Sequence, residues 1–328
     1  MTYAAGGLIQ ASDFNNLVGP YSTPNLGSTI NAIWGIGSGN KGYGQPQISN
    51  VGINDTVTFD DWSTLIKTMN TIAYHQASTV TNYTPPAEGN TIQYLSNLVS
   101  NKNTLYANAN YARQQVSPIP APVSTTNLNS WLKSATFTQT ITFQSADKAR
   151  YFFNAGGQIA ITLSHPGGTN ANLMWNTLAT AAGTIVLSAP LPNTASVIAG
   201  TTYTGVTKIG GSGSSTVNTN VSYYTLDQNY VQVFNQKAFA VTSNYLESYV
   251  SVKIKTNGTQ GINGDRGSVI TVQTLWDEIP NGLLVSYGTT VNITVKYPFS
   301  QPTVTSNYQV PFVNTWGTVS VSGSVTSE

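Results

Sequence analysis

Few residues in this chain are of the types that carry out chemistry. The two histidines, His75 and His165, lie far apart in the sequence, and neither has a second His or a Glu at ligand spacing. No transition-metal pattern results. There is no cysteine, so thiolate chemistry and disulfides are both excluded. Gly37, Gly39 and Gly42 spell the spacing of a dinucleotide fingerprint, but that motif needs a strand before it and a helix after it. Here Tyr43-Gly44-Gln45-Pro46 follows, and Pro46 stops a helix, so the segment reads as a structural loop. No Gly-Lys-Ser/Thr phosphate loop and no Gly-x-Ser-x-Gly nucleophile elbow is present.

Glycan cleavage needs two carboxylates facing a sugar. Asp60-Asp61 have the look of helix-start residues, and Asp277-Glu278 precede a Pro280-Asn281-Gly282 turn, where they read as solvated. In NGTQGINGDRG (257–267), Asn257, Asn263 and Asp265 offer oxygens, but calcium takes 6–8 of them and usually several carboxylates. This loop has one carboxylate and reads as a hairpin connection with an Asp265–Arg266 pair. The expected catalytic residues, metals and cofactors are therefore none. Aromatics are the richer resource, with 18 Tyr and 6 Trp. Tyr223, Tyr224, Tyr245, Tyr249 and Trp276 are read in two ways, as core packing or as a face that stacks on glycan or fills an interface.

The elements that must position these residues divide by periodicity. In residues 1–115 the spacing is helical. Ser12-Asp13 cap a short helix through Phe14 and Leu17, ended by Gly19-Pro20. Thr58 and Asp61 stand at capping-box spacing before Trp62, Leu65, Ile66, Met69, Ile72 and Ala73. After Pro85-Pro86, a helix from about Asn90 to Gln115 places Leu95, Leu98, Lys102, Leu105, Ala109 and Ala112 on a heptad pattern. That stripe packs either against the preceding helix or in a short oligomeric seam, a trimer being the expected form.

A Pro-rich linker, 116–126, separates this region from 127–328, where the period becomes two. Phe137/Ile141/Phe143, Ile159/Ile161/Leu163, Val250/Val252/Ile254 and Val291/Ile293/Val295 mark strands, and Leu173, Met174, Leu178 and Ala182 mark one helix ended by Gly183. YFFNAGGQIAITLS (151–164) reads as a turn feeding a half-buried strand, and GGSGSSTVNTN (210–220) as a flexible loop or subdomain boundary. The expected fold class is α+β: a short N-terminal helical region followed by a mainly β, sandwich-like region.

Charged residues are 8% of the chain against roughly 25% in an average soluble protein, and the net charge is +1. Without clustered cations, nucleic acid is not an expected partner. No apolar run approaches a membrane span, and the N-terminus lacks a signal-peptide pattern. Ser, Thr, Asn, Gln and Tyr must wet the surface instead, giving it little sensitivity to salt. A virion part, assembled in the host cytoplasm and released by lysis, satisfies both the missing export signal and the outward-looking composition. A leaderless secreted protein with a separate export route is the competing explanation.

ARYFFNAGGQI (149–159), LMWNTLATAAGTIVL (173–187), SYYTLDQNYVQVF (222–234) and the segments SYVSVKIKT and GSVITVQTLWDEIPNGLLVSYGTTVNITV carry a likeness. So do IQASDFNNLVG, GSGNKGYGQ, VGINDTVTFDDWSTLI and IAYHQ nearer the front. Together they resemble virion structural and tail-associated proteins of tailed bacteriophages. One departure is Ala160, where a basic residue is often expected. The resemblance implies a non-enzymatic structural component, tail-associated as a fibre, baseplate or neck fibre, whose partners are itself and other virion proteins. Alternatives are an adhesin module binding host surface glycan and a head or collar decoration protein.

Overall fold

The computed structural model describes the chain except for residues 1–9, 21–26, 53, 82, 90–94, 110–122, 170, 191–194, 199–200, 240–244, 280–284, 286–287 and 299–307. The front of the chain is helical: α1 (Ala11–Val18), α2 (Ile30–Trp34), α3 (Phe59–His75) and α4 (Leu95–Asn108). The capping box before α3 forms as its spacing predicts: Thr58 Oγ1 accepts from the Asp61 N–H at 3.3 Å, and the Thr58 N–H donates to Asp61 Oδ2 at 2.8 Å. For α1 the cap moves forward. Gln10 is the N-cap, its N–H donating to Asp13 Oδ2 at 2.9 Å, and Ser12 lies inside the first turn. The five-residue α2, buried throughout, has no periodic signature long enough to read.

The rest is built on strands. In chain order come β1 (Val123–Leu128), β2 (Ser134–Thr142), helix α5 (Ala146–Asn154), β3 (Gln158–Ser164), helix α6 (Ala171–Ala182) and β4 (Thr184–Leu187). The short strands β5 (Ser196–Ile198), β6 (Thr201–Tyr203), β7 (Thr207–Ile209) and β8 (Thr216–Val217) follow. The long strands β9 (Val231–Lys237), β10 (Tyr249–Thr256), β11 (Val269–Asp277), β12 (Thr289–Lys296) and β13 (Ser320–Ser327) complete the set. Two large antiparallel sheets result, one in the order β1-β12-β3-β4-β7 and the other β13-β2-β11-β10-β9-β8, with β5-β6 as a separate two-stranded hairpin. Alternation in β2, β11 and β12 turns Phe137, Ile141, Val272, Trp276, Val291 and Ile293 inward. Gln139, fully buried, bridges the layers by donating to the Val291 carbonyl at 3.0 Å. The α+β, sandwich-like expectation matches this architecture.

Two local expectations are corrected. YFFN is the last turn of α5, not the approach to a strand: Ser145 caps the helix by accepting the Lys148 N–H at 3.2 Å. β3 is not half-buried along its length, because Gln158–Ile161 are buried on both faces. Its inner face meets Ile293 and Ile185 across Ile161, while Ala160 lies beneath the β5–β6 hairpin with Val186, Ile198 and Tyr203. A basic side chain has no room there. The 210–220 segment is a largely exposed loop that contains the two-residue β8, anchored where a Cβ on Gly211 would lie 2.2 Å from the Ala181 carbonyl oxygen.

One apolar core runs from Phe14, Trp62 and Leu105 through Phe137 and Trp276 to Phe312 and Trp316. Strand β1 begins at Val123, within the segment expected as linker, and is bonded along its length to β12. Residues 116–122 of that segment lie outside the described residues.

Candidate functional site

Amide and hydroxyl side chains of the front half, buried except for the partly buried Asn15, hold irregular backbone in place. Each brackets a single residue by accepting its N–H and donating to a carbonyl, as a neighbouring strand would. Asn15 does this to Val51 (2.9 and 2.8 Å) and Asn31 to Ile48 (3.2 and 2.9 Å). Gln45 brackets Val313 at 2.9 and 2.8 Å, and Thr71 brackets Val310 at 2.9 Å both ways. Asn70 donates to the Tyr83 carbonyl at 2.9 Å and to the Tyr308 carbonyl at 3.0 Å. Part of the Asn, Gln and Thr content expected at the surface is therefore interior, and it substitutes for sheet where the chain forms none.

The densest constellation is a clamp on the Gly-rich loop 36–42. Arg150 and Asn154 stand one turn apart on α5, and both side chains aim at that loop. Arg150 is fully buried, and all five of its N–H donors are used. Nη1 donates to the carbonyls of Gly39 (3.3 Å) and Lys41 (2.8 Å), and Nη2 to that of Ile36 (2.8 Å). Nε and Nη2 both reach Asp147 Oδ1, at 3.3 and 3.2 Å. Asn154 Nδ2 donates to the carbonyls of Gly39, Lys41 and Gly42 at 3.1, 2.9 and 3.0 Å. The Tyr224 hydroxyl completes the arrangement, lying 2.9 Å from the Gly39 carbonyl and hydrogen-bonded to Asn154 Oδ1. From the 257–267 loop, the Asn263 carbonyl accepts the Gly39 N–H at 2.8 Å, while Asn263 Nδ2 donates to Asp147.

Glycine is required at the centre of this loop. Gly42 has φ +90°, and a Cβ there would lie 2.1 Å from the Ile36 carbonyl oxygen. Loop, α5 and the Tyr223-Tyr224 turn thus form one rigid internal joint. The carbonyls of Ile36, Gly39, Lys41 and Gly42 face internal donors.

The expected site residues fall differently. Tyr223, Tyr224 and Trp276 are buried, which corrects the glycan-face reading for these three: Tyr223 stacks on Phe153 at 4.3 Å and Trp276 packs edge-on to Trp175 at 5.4 Å. Tyr245 is partly buried against the main core. Tyr249 is half-buried and hydrogen-bonded to Asp277, its cross-strand partner. In the helical stripe, Leu98, Leu105 and Ala109 are buried within the chain itself, where α4 packs on α1, α2 and α3. They are not free to form an intermolecular seam, which corrects that reading in favour of internal packing. Lys102 is half-buried on α4, and partial desolvation lowers its pKa. The side chain of Leu95, and Ala112 altogether, lie outside the described residues.

Glu278 is fully buried, not solvated, its N–H donating to the Lys133 carbonyl at 3.0 Å. In the 257–267 loop, Asn257 Oδ1 accepts from Ser268 (2.9 Å) and Val269 (3.0 Å), and Asp265 Oδ1 accepts from Gly267 (3.3 Å). Those oxygens shape a turn. The expected Asp265–Arg266 pair is not among the ion pairs of the described residues, which are Arg150–Asp147 and Lys237–Glu247.

The two histidines are structural in their surroundings. His75 stacks on Phe312 at 4.2 Å, meets Tyr43 edge-on at 5.1 Å and hydrogen-bonds to the backbone of Ala155. Desolvation lowers its pKa to about 4, and burial does the same to His165. Among the described residues no cluster of three His, Cys, Asp or Glu side chains forms. A small cleft opens beside the clamp, between Asn40, Phe153, Gly156, Ser188 and Ile198. Among the described residues no titratable side chain lines it, and the Ser188 hydroxyl donates to the Gly205 carbonyl at 2.8 Å. No helix among the described residues is long and apolar enough to cross a membrane.

Comparison with protein-family models, with curated proteins and with solved structures gave no match to this chain.

Sequence reasoning missed the clamp because it missed α5. A signal was present: Ser145 as N-cap, Asp147 in the first turn, then Arg150 and Asn154 at i, i+4.

Proposed function

We propose that this protein is a non-enzymatic structural component of a tailed-phage virion, tail-associated as a fibre, baseplate or neck-fibre part. One observation carries the reading. Three segments on which the resemblance rests, GSGNKGYGQ, ARYFFNAGGQI and SYYTLDQNYVQVF, meet in a single internal clamp. Their polar groups face one another, which supports a scaffolding role for these segments. The low charge fits a part that is exposed on a particle and packs beside copies of itself and other virion proteins.

Mass spectrometry of purified particles from the phage encoding this chain tests the reading. The chain should be present at a fixed stoichiometry with the tail proteins. Particles lacking the chain's gene should lose a tail-associated feature in negative-stain images. Particles free of the chain, with all of it in the soluble lysate, would refute the assignment, and copy numbers that follow capsid symmetry would move it to the head or collar.

A further inference from the structure

We propose that β13 is a self-docking edge, pairing antiparallel with the β13 of a second copy about a two-fold axis midway between the Gly323 residues of the two copies. β13 is the outermost strand of the six-stranded sheet, in unbroken register with β2 from Ser320 opposite Thr142 to Ser327 opposite Ala135. Among the described residues, no strand pairs with its other side. Edges of this kind are normally protected by charge, proline, a bulge or short length. SVSGSVTS has no charge and no proline, its ladder has no bulge, and it runs for eight residues.

The occupant follows from the sequence of the strand, whose centre, Val321–Val325, is a palindrome about Gly323. Antiparallel pairing centred there sets Val321 opposite the second copy's Val325, Ser322 opposite its Ser324, and Ser320 opposite its Thr326. The faces agree as well. Val321, Gly323 and Val325 share the inward face with Ile141, Gln139 and Phe137, and Ser320, Ser322, Ser324 and Thr326 share the outward face with Thr142, Thr140, Thr138 and Thr136. Valine therefore meets valine beside the core, and hydroxyl meets hydroxyl outside, the cross-strand pairs that stabilise sheets. A slip of two residues sets valine against Gly323 instead.

Gly323 also has an internal reason to be glycine: a Cβ there would lie 2.0 Å from Thr126 Oγ1 of β1. The axis thus passes beside the one position in the strand with no side chain. The interface is isologous, the commonest kind in homo-oligomers. The inference rests on the strand and not on the virion reading.

Sedimentation velocity of the full-length protein across the micromolar range tests it. The wild type should show a monomer–dimer equilibrium. S322K/S324K and S322E/S324E, substituting exposed residues, should each weaken the dimer at least about tenfold while melting as the wild type does. An equimolar mixture of the two should restore it as a heterodimer. The register has its own test, since the chain contains no cysteine. S322C mixed with S324C should cross-link under oxidation far more efficiently than either alone. A wild type that stays monomeric throughout, an oligomer indifferent to the charges, or equal cross-linking by each cysteine alone would overturn the proposal.

Discussion

Replacing Arg150 by methionine keeps the apolar stem and the helix propensity while removing five donors from the clamp. The loss is uneven across their acceptors. The Gly39 carbonyl keeps Asn154 and Tyr224, the Lys41 carbonyl keeps Asn154, and Asp147, 37% exposed, keeps Asn263 and water. The Ile36 carbonyl loses the Arg150 donor it has now. An unsatisfied buried carbonyl costs about 1–3 kcal/mol, and charge-assisted bonds about 1.5–3 each. Against that stands the relief of leaving no guanidinium in a dry site. The net expected destabilisation is about 2–4 kcal/mol. Urea unfolding should show a lower midpoint with unchanged slope, and trypsin should cut after Lys41 in the variant under conditions that spare the wild type. Arg150→Lys should fall between the two, because one ammonium cannot span three carbonyls and a carboxylate. Because Arg150 and Asn154 share the Gly39 and Lys41 carbonyls, their alanine variants should be non-additive by roughly 0.5–3 kcal/mol. An R150M protein within about 0.5 kcal/mol of wild type, with Lys41 still protected, would refute the clamp as a source of stability.

Three further outcomes are expected. His75 has a folded-state pKa of about 4 against an unfolded value of about 6.5. Between those values only the unfolded chain takes up the proton, so stability falls as pH drops through that window, by about 3 kcal/mol from this residue. Urea midpoints measured from pH 7.5 down to 4 should show the loss, and His75→Phe should remove its share; an identical pH slope in both proteins would contradict the assignment. Leu98→Asp puts a carboxylate at a fully buried position and should lower thermal stability by more than about 3 kcal/mol. An unchanged melt with a halved or smaller particle mass would instead restore the oligomer seam. Gly42→Ala should cost more than Gly39→Ala: both have positive φ, but only at Gly42 does the new Cβ meet backbone. Equal midpoints for the two would show that the loop relaxes freely.

What could be read from the sequence depended on the range of the interaction. α3 was legible because its cap and its apolar stripe are local, as were β2, β10 and β12 from their alternation. β3 misled because alternation predicts one covered face, whereas the hairpin at Ser196–Tyr203 covers the other as well. The stripe on α4 has the same appearance whether it is covered by its own chain or by a neighbour's, and only three-dimensional packing decides that. Tyrosine content likewise carries no record of direction, so Tyr223 and Tyr224 could not be told from surface rings. The clamp was the least legible part, because its bonds join residues more than a hundred positions apart.

The brackets that Gln45 and Thr71 place on Val313 and Val310 bear on how the chain is made. Their sequence separations are 268 and 239 residues. At roughly 5–20 residues per second of synthesis, Gln45 leaves the ribosome about 13–54 s before its partner exists. For that interval Trp34, Tyr43 and His75 lack Phe312, the ring that packs against all three. The helical region is thus synthesised well before residues 308–316 complete it, and contacts of such separation close slowly. Chains truncated before about residue 308 should be bound by chaperones or aggregate, so only a full-length molecule would have a finished helical end to offer for assembly.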